Sequence, residues 1–215
     1  MINFEYDLGV VGLGYVGLPL AVESANAGLK VIGYDVNPER VHEINNGKSP
    51  IEDISDNELS KASNSFTASD NPSRLSKCHH IVISVPTPLT DYQPDLSYVE
   101  AAAKSVGENL VSNQVIILES TTYPGTTLEV LVPNLEKYSN LKAGSDFFVG
   151  YSPERIDPGN KEWKFKNTPK VISGINEESL EKINSFYKKI IDETVIVKGT
   201  KEAEMVKLLE NTYRH

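Results

Sequence analysis

Three glycines near the start of the chain have the spacing of a phosphate-binding turn. The segment Gly12-Leu13-Gly14-Tyr15-Val16-Gly17 stands between an apolar run and an amphipathic stretch, which is the context of a dinucleotide fingerprint. Gly12 would allow the tight turn, Gly14 the approach of a pyrophosphate, and Gly17 the close packing of helix on strand. Amide groups at the start of that helix favour phosphate. The spacing therefore predicts a dinucleotide at this turn.

An acidic residue follows at the distance expected for the ribose of that dinucleotide. Asp35 ends the second apolar run, 18 residues after Gly17, where a carboxylate can accept hydrogen bonds from the ribose hydroxyls. The same carboxylate would repel a 2′-phosphate, which favours NAD over NADP. Arg40 leaves an alternative open, because an arginine could bind that phosphate or stack on the adenine. A structural turn and a helix cap are the simpler roles of the glycines and of Asp35.

Hydroxyl side chains follow two further apolar runs. Thr87 comes after the run His80–Val85, between two prolines. Thr121 comes after the run Val115–Glu119. Ligands of parallel sheets bind beyond the carboxyl ends of the strands, so both hydroxyls stand where a bound dinucleotide would lie. The prolines have the simpler role of ending a strand.

Short apolar runs alternate with amphipathic stretches along the chain, and this alternation predicts a Rossmann-type, doubly wound α/β fold. Its sheet would be mostly parallel, with helices on both faces. The predicted strands are Asp7–Val11, Lys30–Asp35, His80–Val85, Val115–Glu119, Phe147–Tyr151, Lys170–Gly174 and Thr194–Val197, with Ser65–Ala68 as a further candidate. The predicted helices are Val16–Ala27, Pro38–Asn46, Ser97–Leu110, Thr126–Lys137 and Glu177–Ile191. Gly28 and Asn37 are the expected stop and start signals of the first two helices.

A further helical pattern begins at Thr200 and runs to His215. Val206, Leu209 and Tyr213 share one face of it. The pattern has no glycine stop, so we expect the natural chain to continue. We therefore predict an NAD-binding domain at 1–199 and, at 200–215, the start of a linker helix to a central and C-terminal half. A frayed helix at the end of a complete domain is the simpler alternative.

Composition narrows the classes of partner and compartment. The chain has 215 residues, with 21 basic and 30 acidic side chains and a net charge of −9. An acidic surface argues against binding to nucleic acid or to an anionic membrane. No apolar run is long enough to span a membrane, and the N-terminus lacks a basic signal region, so we expect a cytoplasmic protein.

The single cysteine and the neighbouring histidines carry no metal-ligand signature. Cys78 excludes an internal disulfide, suits a reducing compartment, and has the expected role of a small structural side chain. His79 and His80 lack the spacing of a metal site, so no metal is expected.

Six ordered segments, covering essentially the whole chain, resemble the UDP-glucose/GDP-mannose dehydrogenase family. They are VVGLGYVGLPLA at Val10–Ala21, GYDVNPERV at Gly33–Val41, SVPTPL at Ser84–Leu89, ESTTYPGTT at Glu119–Thr127, YSPERIDPGN at Tyr151–Asn160 and EAEMVKLLENTYR at Glu202–Arg214. The fourth and fifth segments look most like UDP-N-acetylglucosamine 6-dehydrogenases. UDP-N-acetylmannosamine and UDP-glucose dehydrogenases are the alternatives within the family.

The resemblance implies an activity and its partners. Such enzymes oxidise carbon 6 of a UDP-sugar, here a UDP-N-acetylhexosamine, to the uronate with two NAD. It implies a UDP-sugar substrate and a homodimer for the full-length protein. Val16, Asp35, Arg40, Thr87 and Thr121 would contact NAD, with Thr121 also near the reacting carbon.

The resemblance also implies substrate-facing residues in the last two segments. Glu154 would be an acid/base group or hold a water, and Arg155 and Ile156 would touch the sugar nucleotide. On the last helix, Lys207 would stabilise the developing oxyanion, Asn211 would assist it, and Arg214 would reach the substrate. The spacing agrees, because these three lie at i, i+4 and i+7 and form one polar stripe. The simpler role of that stripe is a solvated face.

Two departures from the family pattern limit what carries over. Pro158 stands where many UDP-glucose members have a second carboxylate, so a role for that acid does not transfer. The Gly-Gly-x-Cys segment, whose thiol holds the aldehyde intermediate in the family, is absent. We therefore expect this chain by itself to be inactive.

Two other functions are compatible with the pattern. A 2-hydroxyacid dehydrogenase has a similar Rossmann domain followed by a helix with lysine and asparagine four residues apart, but the segments around Glu154 and Thr121 argue against it. A non-catalytic NAD-binding module is the third possibility, because the cysteine segment is missing.

Overall fold

A computed structural model describes residues 3–90, 93–154 and 165–214. The strands are β1 (Tyr6–Val11), β2 (Val31–Tyr34), β3 (Phe66–Ser69), β4 (Cys78–Ile83), β5 (Leu89–Thr90), β6 (Gln93–Pro94), β7 (Val115–Leu118), β8 (Phe148–Tyr151), β9 (Lys170–Gly174) and β10 (Thr194–Ile196). The α-helices are α1 (Gly17–Asn26), α2 (Pro38–Asn45), α3 (Asp56–Ala62), α4 (Ser97–Gly107), α5 (Val132–Ser139), α6 (Glu177–Tyr187) and α7 (Thr200–Arg214).

Eight of the strands form one sheet in the order β10-β9-β8-β7-β4-β1-β2-β3. Neighbours run parallel except β8 and β9, which are antiparallel. The strand order reverses between β1 and β4, where a doubly wound sheet opens a crevice at the carboxyl ends of its strands. The predicted Rossmann-type fold is confirmed.

Core clusters lie on both faces of the sheet. Strand β7 packs into both of them, which explains why its sequence is continuously apolar. Val115 and Ile117 belong to one cluster, whereas Ile116 and Leu118 belong to the other. All four side chains are fully buried. Helices cover both faces of a parallel sheet, so each position along such a strand is internal.

Local signals place the first two helices as predicted. Gly28 has a φ of +91°, the left-handed conformation that ends a helix most easily at glycine. The side-chain oxygen of Asn37 accepts hydrogen bonds from the amides of Glu39 and Arg40 at 2.9 and 3.3 Å. Most element ends differ from the prediction by one to three residues. The largest shift of a strand is that of β4, which begins at Cys78 because Cys78 pairs with Tyr6 of β1.

The helix predicted at Thr126–Lys137 is in fact two elements, a π-helical turn at Thr127–Leu131 followed by α5. Pro133 gives a physical reason. It has no amide to donate to the carbonyl of Glu129, and its ring would crowd that carbonyl in a regular α-helix. The preceding turn is wider instead.

Three short elements have no counterpart among the predicted ones. They are α3, the β5–β6 hairpin and a 3₁₀ helix at Pro72–Lys77. The first had a recognisable signal, since Ser55 and Glu58 form a capping box in which each side chain bonds the other's backbone amide. In the described part of the chain, no helix is long and apolar enough to cross a bilayer.

Candidate functional site

The glycine turn after β1 is shaped by close approaches that only glycine permits. Gly12 has a φ of +91°, and a Cβ there would lie 2.9 Å from the carbonyl oxygen of Ser84. A Cβ on Gly17 would lie 1.8 Å from the carbonyl oxygen of Gly12, so helix and turn pack without room for a methyl group. A Cβ on Gly14 would meet no protein atom within 4 Å. Gly14 therefore faces the open side of the crevice.

The amide groups at this turn are available to a ligand. Val16, which precedes α1, makes no side-chain capping bond. Among the described residues, the amides of Gly14, Tyr15 and Val16 have no protein acceptor. The amides that begin a helix carry partial positive charge, so this turn suits a phosphate.

The carboxylate of Asp35 faces the same turn. It is 5% exposed, and its Oδ2 accepts a hydrogen bond from the amide of Leu13 at 2.8 Å. Its Oδ1 accepts from the amide of Asn37 at 2.9 Å. Arg40 forms an ion pair with Oδ2 at 3.0 Å. A carboxylate has about four acceptor positions, so three are used and Asp35 is held rigidly at the edge of the crevice.

The loops after β4 and β7 are joined to each other. The hydroxyl of Thr87 donates a hydrogen bond to the carbonyl oxygen of Thr121 at 2.6 Å. Thr121 itself is exposed. These two predicted residues therefore lie side by side at the carboxyl edge of the sheet, across the crevice from the glycine turn.

A buried group of charges lies next to this edge. The ammonium of Lys170, at the start of β9, is 3.0 Å from Oε1 of Glu119 and 3.0 Å from Oε2 of Glu154. The hydroxyl of Tyr187 donates to Oε1 of Glu119. Lys170 and Glu119 are almost completely buried, whereas Glu154 is partly accessible. Lys170 thus connects the segment that leads to Thr121 with the segment that carries Glu154.

Burial and charge act in opposite directions within this group. Burial raises the pKa of Glu119 against the opposing effect of Lys170. Burial alone would lower the pKa of Lys170, but the carboxylates of Glu119 and Glu154 outweigh it and raise that pKa above its usual value. Lys170 is therefore a cation wherever the two carboxylates are ionised. Neither Lys170 nor Tyr187 was among the predicted site residues, because a lysine and a tyrosine at element ends have no distinctive sequence signal.

Helix α7 brings one predicted residue to the same place. Lys207 is half-buried, and its ammonium donates a hydrogen bond to the backbone oxygen of Glu154. Asn211 and Arg214 belong to the same helix. Arg155 and Ile156 lie outside the described residues.

The apolar stripe predicted on α7 is only partly covered. Val206 packs against the core. Leu209 is 62% exposed.

The cysteine and histidines lie away from the crevice, at the start of β4. Burial raises the pKa of the Cys78 thiol to about 12. Burial, with a smaller effect from His79, lowers the pKa of His80 to about 3. In the described ranges, no three His, Cys, Asp or Glu side chains are arranged to hold a metal ion.

Known proteins match this chain over most of its length. The sequence model of the UDP-glucose/GDP-mannose dehydrogenase family, NAD binding domain, matches residues 6–191. UDP-N-acetyl-D-glucosamine 6-dehydrogenase of Pseudomonas aeruginosa is 44% identical over 98% of this chain and 50% of its own length. The chain thus spans about half the length of the curated relatives it matches.

Solved structures show the same relationship. The UDP-D-ManNAc dehydrogenase of Pyrococcus horikoshii superposes with a TM-score of 0.90 at 35% identity, over 96% of this chain and 50% of that one. GDP-mannose dehydrogenase of Pseudomonas aeruginosa superposes with a TM-score of 0.90 at 28% identity, over 97% of this chain and 50% of that one. The match to the family covers most of the residues, and the glycine turn and Asp35 lie within it. This chain therefore belongs to the UDP-glucose/GDP-mannose dehydrogenase family, in its NAD binding domain.

Proposed function

We propose that NAD binds across the crevice between β1 and β4, with its pyrophosphate on the amides of Gly14–Val16 and its adenosine ribose against Asp35. The observation that supports this most directly is the orientation of Asp35, whose carboxylate points at the turn and is 2.8 Å from the amide of Leu13. Arg40 is paired with that carboxylate, so its charge is already balanced by Asp35 and is less available to a 2′-phosphate. This favours NAD over NADP.

The reaction we propose is oxidation of carbon 6 of a UDP-N-acetylhexosamine to the uronate, carried out with the second half that the relatives possess. UDP-N-acetylglucosamine is the first choice, because the relatives with that activity are up to 44% identical. UDP-N-acetylmannosamine and UDP-glucose are the alternatives. Bound NAD would supply the hydride acceptor.

Several residues of this chain would act on the substrate. The ammonium of Lys207 would stabilise negative charge on the sugar oxygen as the alcohol proton leaves, which is charge present mainly in the transition state. The carboxylate of Glu154 would hold a water or accept a proton beside it. Thr121 would contact both NAD and the reacting carbon. Asn211, Arg214, Arg155 and Ile156 remain predictions from the family resemblance.

The 215-residue polypeptide by itself should bind NAD and fail to turn over, because it has no Gly-Gly-x-Cys segment. The proposed division at residue 199 also remains a prediction. Helix α7 does begin at Thr200, as expected from the sequence.

Calorimetric titration with NAD and with NADP tests the cofactor proposal. Asp35→Asn keeps the shape of the side chain but replaces one carboxylate oxygen with an NH2 group. In the wild type that oxygen accepts a hydrogen bond from a backbone amide, and the NH2 group cannot accept it. We expect NAD affinity to fall at least about tenfold, the effect of a lost charged hydrogen bond together with a disturbed turn. Asp53→Asn is the matched control, because Asp53 is exposed and lies in the connection between α2 and α3. Equal NAD affinity in the two variants would refute the role of Asp35.

NADH formation tests the proposed reaction. The chain should give no steady NADH with UDP-N-acetylglucosamine or with small 2-hydroxyacids. Steady turnover of the UDP-sugar by the chain alone would contradict the need for the cysteine segment. Turnover of a hydroxyacid would show that the substrate is a small hydroxyacid rather than a UDP-sugar.

A further inference from the structure

Helix α7 carries a carboxylate that has no contact with solvent. Glu204 is fully buried, and its Oε1 accepts hydrogen bonds from the amide and the hydroxyl of Thr127 at 2.8 and 2.6 Å. Its Oε2 accepts from the amide of Gly125 at 2.5 Å. All three donors belong to Gly125 and Thr127, where the loop after β7 enters the π-helical turn. Three donors that converge on one side chain suit a carboxylate, which accepts without donating.

The neighbouring turn of the same helix carries Lys207. It follows Glu204 by three residues, a rise of about 4.5 Å along the helix and on an adjoining part of its surface. Its ammonium donates to the backbone oxygen of Glu154. Because a helical turn is stiff, the position of Glu204 constrains the position of Lys207.

The other polar contact described between α7 and the π-helical turn is weaker. Lys201 pairs with Glu129 at 2.8 Å, but both side chains are more than half exposed. Pairs of that kind contribute little to stability because water and salt screen them. The apolar contacts of Ala203 and Val206 favour docking of the helix but specify no single register. The directional bonds of Glu204 supply that register.

We propose that Glu204 is a positioning residue: by anchoring α7 to the loop after β7, it sets where the ammonium of Lys207 lies beside Glu154. Its importance for activity rests on the proposed function, in which Lys207 faces the sugar oxygen. The anchoring itself is a property of this chain and can be measured without substrate.

The test is Glu204→Gln, which keeps the shape but turns one acceptor into a donor. One of the buried amides of Gly125 and Thr127 then loses its partner. We expect hydrogen-exchange protection of the α7 amides to fall about tenfold, while that of β1 and β4 stays unchanged. Competitive labelling with acetic anhydride should modify Lys207 about tenfold faster relative to Lys61, because undocking exposes Lys207, whereas Lys61 is already exposed and lies on α3.

Glu202→Gln is the matched control, since Glu202 lies on the same helix, is exposed, and undergoes the same change of charge. It should leave both readouts at the wild-type level. If Glu204→Gln also loses hydrogen-exchange protection in β1 and β4, the Thr127→Val variant provides the test, because it removes only the hydroxyl donor. It should then give a smaller increase in Lys207 labelling with the sheet intact.

Wild-type labelling of Lys207 in a folded Glu204→Gln chain would overturn the proposal. If Glu204→Gln is unfolded, wild-type labelling of Lys207 in Thr127→Val would also overturn the proposal. Titration of the wild-type chain with NAD tests the proposed function independently of the anchoring. Failure to bind NAD would refute the proposed function but leave the anchoring result intact.

Discussion

At the scale of single residues, Lys170 holds together the two segments that bear Glu154 and Thr121. It is one cation between two carboxylates in a nearly dry site, so the group of Lys170, Glu119 and Glu154 has a net charge of −1 when all are ionised. Tyr187 adds a hydroxyl donor to Glu119 and an aromatic ring 5.5 Å from the ammonium. Removing the cation would leave the buried carboxylate of Glu119 and the partly accessible one of Glu154 without their counter-charge. Losing one partner of a buried ion pair costs far more stability than the intact pair contributes.

We therefore predict that Lys170→Met destabilises the chain by about 3–5 kcal/mol, measured by urea unfolding at neutral pH. Lys166→Met is the control, because Lys166 is 73% exposed and lies 3.8 Å from Asp192. Its effect should stay within about 0.5 kcal/mol. A Lys170→Met chain that unfolds at the wild-type urea concentration would show that the buried pair contributes nothing.

At the scale of elements, two glycines of the turn between β1 and α1 have opposite surroundings. Gly17 lies against the protein itself, because a Cβ there would overlap the carbonyl oxygen of Gly12. Gly14 has open space where a Cβ would be. The two glycines of one motif thus differ in their surroundings, because Gly17 packs inside the fold and Gly14 faces the open crevice.

This difference predicts opposite outcomes for two alanine variants. Gly17→Ala should lower the free energy of unfolding by about 1–3 kcal/mol, because the added methyl group forces α1 away from the turn. Gly14→Ala should unfold like the wild type yet bind NAD at least about tenfold more weakly, because its methyl group fills the path of the pyrophosphate. Thermal unfolding and calorimetric titration of both variants measure this. Full NAD affinity in Gly14→Ala would place the pyrophosphate elsewhere.

At the scale of the whole molecule, the centre of the sheet contains a titratable group that the folded chain keeps neutral. His80 lies in β4, is 5% exposed, and its Nδ1 lies 3.0 Å from the backbone oxygen of Asp7. Its ring stacks on Phe186 of α6. Burial lowers its pKa to about 3 from 6.5. Protonation at this position therefore favours the unfolded chain.

The sign of the resulting pH dependence follows from that lowered pKa. The contribution of His80 is fully present above pH 6.5 and is lost as the pH falls towards about 3. Between pH 6 and 4, protonation of His80 in the unfolded chain should remove about 1 kcal/mol of stability for each pH unit. The His80→Phe variant can still stack on Phe186 but has no group to protonate here. Its loss of stability over the same pH range should therefore be smaller by that amount. Urea unfolding at several pH values measures this, with the exposed His42→Gln as control. An unchanged slope in His80→Phe would contradict the assignment.

The sequence by itself determined the features that depend on neighbouring residues. The alternation of apolar runs and amphipathic stretches predicted the parallel sheet, and the glycine spacing predicted the tight turn after β1 that Asp35 faces. Helix signals worked for the same reason, since a cap such as Asn37 bonds amides only two and three residues away. Element ends were less accurate, because pairing with a neighbouring strand decides where a strand begins.

Only the tertiary structure decided which charges are internal. Nothing local distinguishes the exposed Glu202 from the buried Glu204, whose partners Gly125 and Thr127 are 79 and 77 residues away. Lys170 likewise begins a strand as any solvated lysine could, and becomes a buried cation because two other segments bring carboxylates to it. A charged side chain can leave water only where partners converge on it, and that convergence is a property of the fold rather than of any stretch of sequence.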